Sequence, residues 1–458
     1  MSTTLPSSSP DTMRAYVILL DPDGRRMLTH ELNGWLPAFD VPPVFYPEVE
    51  DLVRNVRKEC GLDIAILRCL EAGDANEGKP RLYSAICTSE NVESSPGFKW
   101  TGLDEPNFDR SDTAALRNIT QLEVERLSSS ALVDSPVPWD SPTGWHQAAL
   151  NWLEANLPPS HEGKPWQASQ IRSWSISSVW RVTSAGTPRL YFKASPRYFA
   201  SEVAVTLDVA DRFPNISPSI VAAQPENGWM LMQDLGDVTL STVDTAEMWH
   251  DTMKTIAMVQ HGYVGKFREM ERMGIERRTT EAVVEMLVNW TDDPAGVEVR
   301  TVGEENEAAL SRLGPDVSKT ESIEGKLKEL GIPPTLEHGD LDATNVFIRN
   351  GSPVLMDWSD ACVSHPFFTP LTPAQARRHT EFVDTYLREW TNYAPLENLR
   401  RGFQFAKPLA ALESAFHYHR NIVPYLPYPY PDFMTLERYI PALLNMAAEA
   451  LEYVPDDE

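Results

Sequence analysis

The sequence predicts an α+β protein in three folded parts. They are an N-terminal α/β/α unit (residues 13–130), a small strand-rich lobe (145–235) and a large helical lobe (236–458). Three observations carry this. Short apolar runs punctuated by turn residues fill the first part. A Pro/Ser-rich break, Ser135-Pro136-Val137-Pro138-Trp139-Asp140-Ser141-Pro142, follows it and marks a linker over 131–144. Near residue 235 the apolar period changes from that of strands to that of helices. Residues 1–12 read as a disordered tail, with neither the basic region nor the apolar core of a secretory signal.

Within the first part, Ala15–Leu20 and Met27–Leu32 are strands joined by the hairpin signal Asp21-Pro22-Asp23-Gly24. Val49–Cys60 is a helix stopped by Gly61. Ile64–Leu70, Arg81–Thr88 and Lys99–Leu103 are strands, and Ala114–Leu127 is a closing helix. His146–Asn156 has helical spacing, with Leu150, Leu153 and Leu157 on one side. Val179–Val182, Leu190–Lys193 and Trp229–Met232 are strands, and Phe199–Phe213 is a helix between the last two. Beyond them, Ala246–Gln260, two short segments in Glu269–Trp290, and residues 374–391, 398–421 and 432–452 are helical.

Bulk properties narrow the function classes. The chain has 458 residues, 42% of them hydrophobic, and no apolar run long enough to span a bilayer. A formal charge of −26 repels nucleic acid and anionic membranes, so neither is expected as a partner. It is compatible with a cationic small molecule. Four scattered cysteines without a CxxC pair suit a reducing, cytoplasmic compartment and give no zinc signature. A homo-oligomer is left open.

The chemistry concentrates in His338-Gly339-Asp340-Leu341-Asp342-Ala343-Thr344-Asn345-Val346, followed by Val354-Leu355-Met356-Asp357-Trp358. Phosphoryl transfer from a nucleotide needs this set. One carboxylate orients and deprotonates the accepting hydroxyl, while an amide oxygen and another carboxylate hold magnesium against the phosphates. The HxDxxxxN spacing matches the catalytic loop of protein kinases. With Gly at the second position and an apolar strand leading to Asp-Trp, the segment resembles the aminoglycoside and choline kinase family. No activation segment follows Asp357.

That resemblance spans about residues 145–452 and implies a bilobal protein-kinase-like fold. It implies Asp340 as the catalytic residue, Asn345 and Asp357 as magnesium ligands, and ATP and Mg²⁺ as cofactors. Lys193, at the end of an apolar strand, would grip the phosphates, with Glu202 in the next helix orienting it. The turn before Lys193 carries Ser177 and Ser178 in place of a glycine-rich loop, and serines also offer phosphate donors. Met232, Gln233 and Asp234 would meet the adenine edge with their backbone. His338 is expected to be structural. Asp342 and Asp360 fall on the acceptor side, where each reads first as a cap or turn residue. The Pro424–Pro431 stretch, rich in Tyr, reads first as a rigid connector and second as an acceptor-pocket wall.

The N-terminal part, with Trp35-Leu36-Pro37 before its helix and Arg54-Asn55-Val56-Arg57-Lys58-Glu59-Cys60-Gly61-Leu62 at its end, resembles a Nudix hydrolase domain. That family's helix carries R-E-x-x-E-E-x-G with magnesium-binding glutamates. Here Asn55 and Lys58 replace two of them and only Glu59 remains. Asp40 stands where a Gly is expected, and Tyr46 where a Glu is. A site that exchanges a carboxylate for a Lys should not hold its cation.

The reading is therefore an ATP-dependent kinase for the hydroxyl of a small acceptor, with a degenerate Nudix-like accessory domain. A nucleotide-binding module without turnover and a diphosphate hydrolase are the alternatives. The sequence names neither the acceptor nor the choice of ATP over GTP.

Overall fold

A computed structural model describes residues 11–89, 92–93, 96–103, 116–128, 135–141, 144–369 and 382–454. It is a mixed α+β chain that divides into two units. The first is residues 1–197 with Leu426–Phe433, and the second is Tyr198–Tyr425 with residues 434–458. The expected tail lies outside the described residues apart from its last two positions, as do residues 131–134 and 142–143 of the expected linker.

The first unit begins with a mixed sheet of β1 (Met13–Leu20), β2 (Arg26–His30), β3 (Ala38–Val41), β4 (Ile64–Glu71), β5 (Arg81–Cys87) and β6 (Phe98–Gly102). Its order is β4-β5-β1-β2-β6, with β3 added on β1 and β1 parallel to β5. β1, β4 and β5 are almost wholly buried along their length, which is why they read as continuous apolar runs rather than alternating ones. Helix α1 (Glu50–Cys60) buries Leu52, Val53, Val56 and Cys60. Gly61, at φ 71°, ends it with an N–H donated to the Arg57 carbonyl, a conformation that Gly adopts at little cost. Helix α2 (Arg117–Ser128) is also described.

After α3 (Trp145–Asn156) the chain forms an antiparallel meander of β7 (Trp166–Trp174), β8 (Ser177–Ser184) and β9 (Leu190–Ala194). The meander and the N-terminal sheet share one unit because β7 is bonded to α1 and β4. Val49 N–H donates to Ile171 O at 3.0 Å, and Ser173 N–H to Pro47 O at 2.9 Å. The Gln170 amide accepts from Ile66 N–H and donates to Ile66 O. Glu48 pairs with Arg172, and Glu50 with Arg181. Val137, Trp139 and Asp140 are buried, although that stretch has the composition of a connector. The Trp139 indole donates to Trp174 O at 3.0 Å, and Asp140 pairs with Arg68.

The second unit holds α4 (Ser201–Arg212), the hairpin of β10 (Ile220–Gln224) and β11 (Trp229–Gln233), and α5 (Leu240–Val243). Then come α6 (Ala246–Tyr263), α7 (Phe267–Arg272), β12 (Glu276–Arg277), α8 (Thr280–Asp292), α9 (Gly303–Leu313) and α10 (Val317–Glu329). β13 (Thr335–Glu337) and β16 (Cys362–Ser364) join β12 in a small sheet. Between them lies the β14 (Val346–Arg349) and β15 (Ser352–Leu355) hairpin. Helices α11 (Val383–Arg388), α12 (Leu396–His417), α13 (Pro431–Glu437) and α14 (Tyr439–Glu452) complete the chain, with one π turn at Tyr418–Ile422 after α12. The expected helix over 374–391 is seen only as α11, since residues 370–381 lie outside the described part. No described helix is long and apolar enough to cross a membrane.

Candidate active site

The loop from His338 to Trp358 is held from below by a buried polar network. Glu337, at the end of β13, accepts from Gln260 Nε2 at 2.9 Å and from Thr369 Oγ1. Thr369 Oγ1 also accepts from His338 N–H at 3.1 Å, and Tyr386 donates to Gln260 Oε1 at 2.7 Å. Burial pushes the Glu337 carboxyl well above its ordinary range. Its two partners satisfy the carboxyl oxygens, and the upward shift lessens the cost of holding a charge in the core. Sequence reading missed this network, because its members are 31 to 126 residues apart.

His338 plays the structural part expected of it. Its Nε2–H donates to Met356 O at 2.9 Å, and its ring packs on Trp358 with centroids 4.5 Å apart. Gly339 follows at φ 81°, and a Cβ there would lie 2.3 Å from the Asp360 carbonyl oxygen. Only glycine fits so close to a backbone, so the HGD sequence follows from packing as well as chemistry.

Asp340 and Asn345 come together as their spacing requires. Asn345 Nδ2 donates to Asp340 Oδ2 and to Asp340 O, both at 3.0 Å. Asn345 N–H bonds to Asp342 O, and Met356 N–H bonds to Asn345 O, which ties the loop to the β15 end that bears Asp357. Asp357 sits at φ 65°, a conformation that few non-glycine residues adopt and that clusters at functional positions. Asp342 caps the turn through Thr344 N–H at 2.8 Å and Thr344 Oγ1 at 2.7 Å. Segment 238–241 braces the loop from outside, with Ser241 N–H on Ala343 O and Ile348 N–H on Val238 O.

The electrostatics are those of a crowded anion site. Burial, then the charges of Asp360, Asp357 and Asp342, push Asp340 up to about 7 against the lowering effect of the Asn345 hydrogen bond. Its carboxylate reaches solvent, so water and any bound cation would draw it back down. Burial also works against Asp360, but the His417 hydrogen bond, the His417 and Arg278 charges and Ser359 outweigh it and hold that carboxyl down at about 2. Mutually repelling carboxylates beside an amide oxygen fit a divalent cation, and Asn345 and Asp357 are the expected ligands. Among the described residues no three His, Cys, Asp or Glu side chains form a closed metal cage. Two protein ligands completed by substrate phosphates is the ordinary magnesium arrangement.

Beside the loop opens a cleft of about 190 Å³ lined by Tyr198, Tyr425, Glu276, Arg278, His417 and Asn421, with Ser359 and Ala361 flanking Asp360 at its edge. Tyr198 and Tyr425 stack at 5.3 Å and 8°. His417 Nε2 donates to Asp360 Oδ1 at 2.6 Å, and Asn421 Nδ2 donates to Glu276 Oε2 at 2.6 Å. Buried Arg278 bridges Glu276 and Glu413. His417 closes α12, and Asn421 lies in the π turn, a distortion often found at functional sites. Neither was singled out from sequence.

The other expected residues are placed as follows. Lys193 is buried on β9 and Glu202 is buried in the first turn of α4. Met232 is buried on β11, while Gln233 is exposed with its N–H given to Ser219 O. Asp234 Oδ1 accepts from Gly236 N–H at 2.8 Å. Ser177 and Ser178 are buried, and both hydroxyls are engaged. Trp174 donates to Ser177 Oγ at 3.0 Å, while Trp180 and Gln170 donate to Ser178 Oγ.

No family model matches the sequence, and no curated protein matches it. Among solved structures the chain is similar to an ethanolamine kinase from Plasmodium vivax, at 9% identity and a TM-score of 0.48, covering 65% of this chain and 87% of that one. It is similar to a choline kinase from Cryptosporidium parvum, at 11% identity and a TM-score of 0.47, covering 67% and 95%. It is also similar to a spectinomycin phosphotransferase solved with ADP and spectinomycin, at 10% identity and a TM-score of 0.45, covering 67% and 98%. At these values the likeness carries no argument about chemistry, which rests on the residues themselves.

Proposed function

We propose that the chain is an ATP-dependent small-molecule kinase that transfers the γ-phosphoryl group to a hydroxyl of a compact acceptor. The observation that carries this reading is the Asp340–Asn345 pair at 3.0 Å, on a loop whose following strand ends in Asp357 at positive φ. Asp340 orients the acceptor hydroxyl and takes its proton as the oxygen attacks. Asn345 and Asp357 would hold Mg²⁺, which supplies charge neutralisation at the phosphates. Lys193 grips the phosphates and Glu202 orients it. The backbone of Met232 to Asp234 receives the adenine. The Ser177 and Ser178 oxygens accept from indoles and an amide, so that turn would offer phosphate its hydroxyl O–H and backbone N–H donors.

The cleft beside Asp360 takes the acceptor. Its volume lies below the roughly 300–1,000 Å³ of drug-sized pockets, which favours a small alcohol. Stacked tyrosines at its wall favour a cationic one. The N-terminal sheet and α1 act as a Nudix-like accessory without hydrolysis. At α1, Arg54 pairs with Asp51, and the Asn55 amide donates to Asp40 O at 3.0 Å.

The test is thermal stability with and without Mg·ATP in the wild type and in Asp357→Ala, followed by a screen of alcohol acceptors. A wild-type shift lost in the variant supports the site. No shift in either overturns the kinase reading.

A further inference from the structure

We propose that the N-terminal sheet is a built-in brace for the turn at 175–178, and that Gln170 is the positioning residue through which it holds that turn ready for the nucleotide phosphates. The phosphate part rests on the reading of the turn given above. Every residue of the brace lies in the first unit, Asp432 included.

The brace starts at β4, the outer strand of the N-terminal sheet, whose edge leaves main-chain groups to be paired. Gln170 of β7 is 2% exposed, and its amide does the pairing. Oε1 accepts from Ile66 N–H at 2.6 Å and Nε2 donates to Ile66 O at 3.2 Å, as a residue of a partner strand would. The same Nε2 also donates to Ser178 Oγ at 3.1 Å. One side chain therefore joins the N-terminal sheet to the turn. In the β8–β9 ladder Ser178 stands opposite Ala194 and Val179 opposite Lys193. The link thus also sets the end of the strand pair that carries Lys193.

Helix α1 adds a second grip. The register of β7 on β8 shifts between Gln170 and Arg172, a bulge of the kind that re-aims a strand next to functional sites. There Ile171 O accepts from Val49 N–H at 3.0 Å, and Arg172 pairs with Glu48. On β8, Arg181 pairs with Glu50 at 2.6 Å. At the tip, Ser175 N–H and Ser175 Oγ both donate to Asp432 Oδ2 at 2.6 Å, and the Trp139 indole donates to Trp174 O at 3.0 Å. A turn without glycine, tied on both sides, is prebuilt for its ligand, and preorganisation of this kind raises affinity. Capping the edge of β4 needs only the two Ile66 bonds. The third bond, to Ser178, is directed at the turn.

The experiment compares wild type, Gln170→Met and Ser178→Ala as full chains, by hydrogen exchange read with mass spectrometry and by titration with Mg·ATP and with adenosine. Gln170→Met keeps the side-chain length and removes all three bonds. Exchange in a peptide covering 174–179 is expected to rise roughly tenfold, beside a rise at 64–68. The Mg·ATP dissociation constant is expected to rise roughly tenfold with adenosine affinity unchanged, since adenosine carries no phosphate. Ser178→Ala keeps Ile66 paired and cuts only the last link, so its rise falls on 174–179 alone. It decides the matter if Gln170→Met does not fold. A rise confined to 64–68 in Gln170→Met, or wild-type rates at 174–179 in Ser178→Ala, shows that Gln170 only caps the sheet edge and overturns the proposal. An equal loss of adenosine affinity overturns it too. Mg·ATP that binds wild type without slowing exchange at 174–179 overturns the phosphate role and leaves the kinase reading standing. If wild type binds no Mg·ATP, the kinase reading fails and the phosphate role with it, while exchange in the unliganded variants still decides whether Gln170 holds the turn.

Discussion

The carboxylates of the N-terminal sheet region and those around Asp340 are held in opposite ways, although arginine-paired carboxylates occur in both units. In the first, carboxylates are compensated inside the protein. Asp140 has Arg68, Asp51 has Arg54, Asp63 has Arg57, Glu48 has Arg172, and Glu50 has Arg181. In the second, the charges that act most strongly on Asp340 are other carboxylates, Asp360, Asp357 and Asp342. Compensated charge holds a structure together. Charge left in a field of like sign invites a cation from outside. The difference separates an architectural region from the proposed catalytic one better than composition does, because both regions are acidic.

Four measurements would break or sharpen that contrast. The largest effect is expected from Asp340→Ala, which should lower turnover by roughly 10²–10⁴-fold while the Mg·ATP thermal shift survives. Loss of nucleotide binding as well would make Asp340 part of the binding site. Next is Asp140→Ala in the compensated region. It strands the buried Arg68 guanidinium and should cost about 3–5 kcal/mol in urea unfolding, with nucleotide affinity unchanged in the protein that stays folded. Asp357→Ala should do the reverse. It should abolish the stabilisation of about 2.7 kcal/mol expected at a hundredfold excess of Mg·ATP over its dissociation constant, while leaving the unliganded protein as stable as before.

The smallest effect is a pH dependence with one contributor in each unit. Burial lowers His146 and His365 from 6.5 to about 3. Among the described residues no hydrogen-bond partner meets either His146 ring nitrogen, and His365 Nδ1 must stay unprotonated to accept from Phe367 N–H. Because the folded values are depressed, the stability each neutral ring contributes is complete above about pH 6.5. It is lost as pH falls toward 3, reaching about 2 kcal/mol per ring at pH 5. His146→Phe should flatten the profile by one ring's share. A profile unchanged by that substitution would show that His146 takes up its proton in the folded protein as readily as in the unfolded chain.

Legibility followed sequence separation. The loop from His338 to Trp358 was readable because its chemistry is local. Asp340, Asn345 and Asp357 lie within 18 residues, and Gly339 announces its own close approach to Asp360. The strands β1, β2, β4 and β5 were readable from apolar runs and turn residues, as was α1 from its period and Gly61. Helices α9 and α10 were passed over within a region read only as helical. Pro138–Asp140 has the composition of a connector and is buried, because Trp139 finds Trp174 and Asp140 finds Arg68. In the Pro/Tyr stretch Tyr430 packs on Arg68, as the connector reading expects, while Tyr425 lines the cleft.

From the sequence by itself came the α+β class, the order of elements and the candidate catalytic loop with the identity of its acidic and amide groups. Each of these is written in spacing and period, which act over a few residues. Only the tertiary structure decided which carboxylates are neutralised by arginine and which are left facing one another. It alone revealed the Glu337 network beneath the loop, the use of the Ser177 and Ser178 hydroxyls by indoles, and the part of His417 and Asn421 in the cleft. Those outcomes depend on partners tens to hundreds of residues away, and the energy of a charge or a hydroxyl is set by what surrounds it in space.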